Sequence, residues 1–226
     1  MSDMSMETEH ITDGNRFIVD GIITKGLNLL VAPKEEGSSF ALGLALYVAG
    51  GRGFLDRKTR QGKVFYFALE NCRDKMRHKI ANIMNGDADP ANITFVYIVE
   101  AFGDNLEYGM DVYLQDNPKT KLIVIDSLEK ILEKGTGRVG YDSVYGKLCA
   151  IKNIAHKYNV AILIETYTRL PENSRLASVA DTVLDINKRG RQNEYTLHVA
   201  GKNIPEKEIA ITFEPEGYSW APVTIK

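Results

Sequence analysis

The stretch Gly26–Gly51, GLNLLVAPKEEGSSFALGLALYVAGG, decides how the rest of the chain is read. Leu27–Ala32 is a short apolar run stopped by Pro33, which predicts a strand. Ser38–Gly50 carries Phe40, Leu42, Leu44, Ala45 and Val48 in a mostly apolar segment, which predicts a buried helix. A buried strand followed at once by a buried helix is the opening unit of an α/β sheet.

The connection is Ala32-Pro33-Lys34-Glu35-Glu36-Gly37-Ser38-Ser39. A loop G-x-x-x-x-G-K-[ST] at such a place cradles phosphate on backbone N–H groups, reaches the β- and γ-phosphates with its lysine and holds Mg²⁺ with its hydroxyl. Gly37 and Ser39 fall in that register, while Ala32 replaces the first glycine and Ser38 the lysine. Glu35 and Glu36 stand inside the loop and would each repel a solvated phosphate by about 1 kcal/mol. Lys34 folding back would compensate in part, and restoring a lysine at Ser38 is then expected to raise nucleotide affinity. The same residues also read as a plain strand-to-helix turn with Ser38 as its N-cap.

Outward from this unit the pattern repeats. Val64–Leu69, Thr94–Val99, Leu122–Ile125 and Val160–Ile164 read as strands. Asn71–Met84, with Met76, Ile80 and Ile83 on one side, Leu106–Leu114 and Tyr141–Tyr158 read as helices. After Ala180 the segments Thr182–Ile186, Tyr195–Ala200, Glu208–Glu214 and Tyr218–Ala221 follow one another without a helix-length spacer, which predicts an antiparallel meander. The expectation is an α/β fold: a mainly parallel central sheet with flanking helices, extended by a C-terminal antiparallel meander. Residues 1–15 are expected as a flexible arm and 16–226 as one domain, which suits 226 residues.

With 44% hydrophobic and 26% charged residues the chain can bury a core, which excludes the disordered and fibrous classes. A net charge of −2 speaks against wholesale coating of nucleic acid. Cys72 and Cys149 form no CxxC and no zinc spacing, so reduced thiols are expected. No apolar stretch reaches membrane-spanning length and residues 1–13 lack signal-peptide character, so the expected location is cytoplasmic, with no membrane partner. Lys147, Lys152 and Lys157 read as the wet face of a helix, and His156 and His198 as structural or exposed.

In parallel sheets ligands sit beyond the C-terminal strand ends. Glu70, Asp126 and Glu165 each close a strand there. Leu122-Ile123-Val124-Ile125-Asp126 has the form of a strand whose final Asp orders a Mg²⁺ shell. Glu70 stands where a general base for water would stand. Each of them also fits a solvated strand end or a helix cap.

The order GLNLLVAPKEEGSSFALGLALYVAGG, VFYFALEN, KLIVIDSLEKI, VAILIETYTRL, ADTVLDINK and HVAGKN resembles the RecA-like P-loop ATPases, and within them the plasmid-type RepA hexameric helicase and the AAA-family ATPases of mobile elements. The resemblance spans roughly residues 16–221. It implies a RecA-like core, self-assembly, ATP with Mg²⁺ as cofactor and action on DNA. Gly37, Ser38 and Ser39, with Lys34, would face nucleotide, and Ser39 and Asp126 would hold Mg²⁺. Glu70 and Asp126 would be catalytic, Glu165 and Thr166 stand at the sensor position, and Lys202 matches a basic finger toward a neighbour's nucleotide. Loops 133–142 and 168–175, with Lys134, Arg138, Arg169 and Arg175, would touch DNA. Because Ser38 replaces the loop lysine, the expectation is a degenerate ATPase-fold protein of DNA replication, recombination or repair with little or no hydrolysis. The alternatives are an active ATPase with an atypical loop and a non-enzymatic scaffold with an empty site.

Overall fold

The computed structural model describes residues 16–85, 87, 91–97, 106–132, 141–168, 175–190, 193–202 and 204–223. The expected arm, residues 1–15, lies outside them. The elements run β1 (Phe17–Val19), β2 (Ile23–Thr24), β3 (Gly26–Val31), α1 (Lys34–Gly50), β4 (Lys63–Ala68), α2 (Arg73–Met84), β5 (Ile93–Val96), α3 (Leu106–Asp116), β6 (Thr120–Asp126), α4 (Leu128–Leu132), α5 (Tyr141–Tyr158), β7 (Ala161–Thr166), α6 (Arg175–Val179), β8 (Thr182–Lys188), β9 (Glu194–Gly201), β10 (Ile204–Glu214) and β11 (Ser219–Pro222). β1 and β2 pair as a small antiparallel ribbon, and the other strands form one sheet in the order β11-β10-β9-β8-β3-β7-β6-β4-β5.

The pairs β8–β3, β3–β7, β7–β6, β6–β4 and β4–β5 are parallel. Their side chains alternate between two cores, as the period of two requires. Leu30, Val124 and Leu163 join Phe40 and Leu44 of α1 and Met76 of α2 on one face. Leu29, Ile125 and Ile162 join Met110 of α3 and Leu148 and Ile151 of α5 on the other. Burying each such side chain contributes about 1.5–3 kcal/mol. α1 is apolar nearly all round because Trp220 of β11 closes over Phe40, ring to ring at 5.7 Å, so the helix is covered on its outer side too.

Several expectations shift. α1 begins at Lys34, not Ser38. β5 runs Ile93–Val96, and residues 98 and 99 of the expected Thr94–Val99 lie outside the described residues. β8 opens the antiparallel meander as expected, pairing antiparallel with β9, and on its other side pairs parallel with β3, which joins the meander to the parallel sheet. Its crossover was invisible in the sequence because α6, the helix before it, has only 5 residues. Lys152 and Lys157 are not merely solvated. Lys152 Nζ donates to Val179 O and to Asp181 Oδ1, each at 2.7 Å, and Lys157 Nζ to Asp111 Oδ1 at 2.6 Å. Asp181 also accepts the Leu27 N–H at 2.9 Å and faces His156 Nε2 at 2.9 Å. It thereby ties α5 to the N-terminal ends of β3 and β8. His198 faces Glu206 at 2.7 Å. Both cysteines are free, and among the described residues no helix is long and apolar enough to cross a membrane.

Candidate functional site

Beyond the C-terminal ends of β3, β4, β6 and β7 the chain brings α1, Glu70, Asp126 and Glu165 together. The connection from β3 is closed: Pro33 is the N-cap of α1 and Lys34, Glu35 and Glu36 form its first turn. Ser38, read as a possible N-cap, lies inside the helix instead. The Gly37 N–H donates to Pro33 O at 2.7 Å, so the amide expected at a phosphate is spent on the helix. A Cβ at Gly37 would lie 2.7 Å from Glu165 Oε1, so glycine lets the helix pack directly on that carboxyl.

Ser38 is buried and its Oγ donates to Asp126 Oδ2 at 2.8 Å. The Tyr66 hydroxyl donates to the same oxygen at 3.0 Å. Asp126 is fully buried, precedes a cis peptide bond to Ser127, and keeps Oδ1 without a hydrogen-bond partner among the described residues. Ser39 is fully buried, and its Oγ is likewise unpartnered among the described residues. Burial pushes the Asp126 carboxyl up, against the pull of Ser38, Tyr66 and Lys79. Glu165, 1% exposed, is pushed up to about 9, first by burial and then by the Asp126 charge. Glu165 is therefore neutral at pH 7.

Glu70 stands at the mouth. Its Oε2 pairs with Lys34 Nζ at 2.8 Å and its Oε1 accepts from Ser127 Oγ at 3.0 Å. Burial raises its carboxyl, and these two partners outweigh that and hold it below the ordinary range. Lys34 therefore folds onto Glu70 and over the Tyr167 ring, 4.8 Å from its centroid, rather than into a phosphate loop. Thr166 is fully buried and donates to Glu129 Oε1 at 2.6 Å.

The remaining expected residues lie elsewhere. Lys202 is exposed beside Gly201, the partner of Thr182, at the N-terminal end of β8 and so at the far edge of the sheet. Arg175 opens α6. Lys134, Arg138 and Arg169 lie outside the described residues.

The sequence reading missed Lys79. It belongs to α2, is 1% exposed, and brings Nζ to 3.5 Å from Ser38 Oγ. Asn71 Nδ2 donates to that same Oγ at 3.3 Å. The available signal was position: Lys79 falls within the Met76, Ile80, Ile83 stripe, three residues after Met76 and four before Ile83. A cleft of about 360 Å³ opens over the group, with Lys34, Glu35 and Lys75 at its walls.

Sheet order and strand-end acids define the class: the fold is RecA-like. The AAA domain family matches residues 10–169, well over half of the chain, and the chain belongs to that family. No curated protein matches it. Among solved structures it is similar to a KaiC-like protein of the hyperthermophilic archaeon Pyrococcus horikoshii OT3, with TM-score 0.65 and 15% identity over 92% of this chain and 94% of that one. It is similar to a DnaB-like replicative helicase, TM-score 0.66 and 12% identity, over 88% of this chain and 57% of that one. It is also similar to the RadB recombinase, TM-score 0.62 and 15% identity, over 90% and 93%. At these identities the likeness carries the fold alone.

The fold class implies ATP with Mg²⁺. The residues present do not fit a nucleotide held by its phosphates. The Gly37 amide is used, Ser38 is turned inward, Glu165 fills the space beneath Gly37, and two carboxylates occupy the first turn. Among the described residues, the unsatisfied buried side-chain oxygens here are Ser39 Oγ, Asp126 Oδ1 and Glu165 Oε1, and of the two carboxyls Glu165 is held neutral and so is a poor metal ligand.

Proposed function

We propose that this chain is a self-assembling RecA-like protein of DNA replication, recombination or repair that hydrolyses little or no ATP. One observation carries the reading: α1 is helical from Lys34, with Glu35 and Glu36 in its first turn and Ser38 bonded to Asp126. The loss of a cation facing the charge that develops in phosphoryl transfer commonly costs about 3 kcal/mol or more. The similarity to a replicative helicase and a recombinase supports the setting. The test is ATP turnover together with thermal unfolding across a Mg-ATP titration. A bound ligand at about 100 times its dissociation constant would add about 2.7 kcal/mol. The expected result is no shift and no turnover; turnover near about 1 per second, the low end of common enzyme rates, sinks the reading.

A second reading, an active ATPase with an atypical loop, is favoured by the unpartnered Ser39 Oγ and Asp126 Oδ1. It requires the first turn of α1 to unwind, and Mg-ATP turnover abolished by Asp126→Asn selects it. Self-association is read by light scattering, where only a 25.2 kDa species at micromolar concentration counts against it. DNA contact through Lys134, Arg138, Arg169 and Arg175 predicts sequence-tolerant binding with a log–log salt slope of at most about −3 per subunit on single strands. Binding unchanged in the Arg138→Ala/Arg169→Ala variant removes the DNA component.

A further inference from the structure

We propose that Lys79 is a resident cation: its ammonium, carried by the chain itself, neutralises the buried Asp126 carboxylate through Ser38 and holds the strand-end site assembled without metal or phosphate. This deepens the non-hydrolysing reading above, and its test uses no nucleotide, so the two can fail separately.

Hydrogen-bond bookkeeping sets the direction of the relay. A serine hydroxyl has one proton and two lone pairs. Lys79 Nζ and Asn71 Nδ2 can only donate, and both face Ser38 Oγ, at 3.5 and 3.3 Å. The single Ser38 proton is therefore directed to Asp126 Oδ2, which also receives the Tyr66 hydroxyl. An oxygen taking two donors carries no proton of its own, and both of its lone pairs are used. With Glu165 neutral, the buried site holds one positive group, Lys79, and one negative group, Asp126. Burial and then the Lys75 charge lower the Lys79 amine, and the Asp126 and Glu35 charges work against that.

An anion bound in the cleft is the rival explanation for a lysine here. Lys34, Lys75 and Lys79 border the cleft, but so do Glu35, Glu70 and Asp126, and the formal charges cancel. Lys79 is also shielded, with the Tyr218 ring 5.3 Å from Nζ. Its ammonium faces the protein's own carboxylate.

The experiment is a urea-unfolding cycle of wild type, Lys79→Met, Asp126→Asn and the double variant, in EDTA at pH 7. Each single variant is expected to lose stability. The double is expected to be more stable than Lys79→Met and to lose less than the sum, with a coupling of about tenfold or more in the unfolding equilibrium constant. The wild-type midpoint should be the same in EDTA and in millimolar MgCl₂. Additive losses, a double variant as unstable as Lys79→Met, or a wild type stabilised by Mg²⁺ would each overturn the proposal.

Discussion

Glu165 makes the clearest prediction for a single residue. Its carboxyl titrates near 9 in the fold against an ordinary 4.5, so the folded chain holds a proton that the unfolded chain releases. That contribution to stability is complete below the ordinary value and is lost as pH rises toward 9, at up to about 1.4 kcal/mol per pH unit. Glu165→Gln stays neutral throughout, so its urea midpoint should vary less between pH 5 and 8 than the wild type's; an unchanged slope would place the proton elsewhere. Ser38→Lys, which the loop pattern alone recommends as a repair, should do harm. Ser38 is 5% exposed, and a lysine there would cut the Asp126 bond and set a second ammonium beside Lys79. A loss above about 3 kcal/mol is expected, as for other uncompensated buried charges, with no gain in Mg-ATP binding. Calorimetry showing wild-type stability would contradict this. The meeting of Glu70, Asp126 and Glu165 was legible, because each ends an apolar run and parallel strands bring such ends to one edge. Lys79 was not, because helical spacing alone does not say whether a lysine on an apolar stripe turns outward or inward.

The elements themselves were legible where apolar periodicity was strong, as in β3, β4, β6, β7 and α5. The start of α1 was not, and the reason is physical. Glu35 and Glu36 argue against a phosphate in an open loop, and for the same reason they favour a helix start, since carboxylates in the first turn interact well with its N-terminal dipole. Once that turn winds, Gly37 falls against Glu165 and Ala32. Alanine is intrinsically better in a helix than glycine by about 1 kcal/mol. Gly37→Ala should nevertheless destabilise, by about 1–3 kcal/mol as overpacking does, because its Cβ would press on a buried carboxyl 2.7 Å away. Adding Glu165→Ala should recover part of that loss, and thermal unfolding of both variants decides whether the two positions are coupled.

Across the whole molecule, two carboxyls at opposite ends of the sheet pull the pH dependence in opposite directions. Burial raises Asp181, but Lys152, the Leu27 N–H and His156 outweigh it and hold it below 3.8. Its contribution is therefore complete above 3.8 and is lost as pH falls through its depressed value. Glu165 loses its contribution in the other direction. Stability should peak at mildly acidic pH, near 4–5, between the two ordinary values. Asp181→Asn should lower neutral-pH stability by about 1–3 kcal/mol through broken charged hydrogen bonds and flatten the acid limb. A protein equally stable at pH 5 and pH 8 would speak against this division.

The closure of β11 over α1 makes the molecule report on itself optically. Trp220 is the only tryptophan in the sequence, so the indole emission has a single source. Its ring lies 5.1 Å from Tyr195, whose hydroxyl donates at 2.9 Å to Glu36 in the first turn of α1. Unwinding that turn to admit a phosphate would release Glu36 from Tyr195 and alter the quenching environment of the indole. Fluorescence that stays constant as Mg-ATP is added would mean a turn that remains wound, and a change in intensity or wavelength would be the signal of a loop opening.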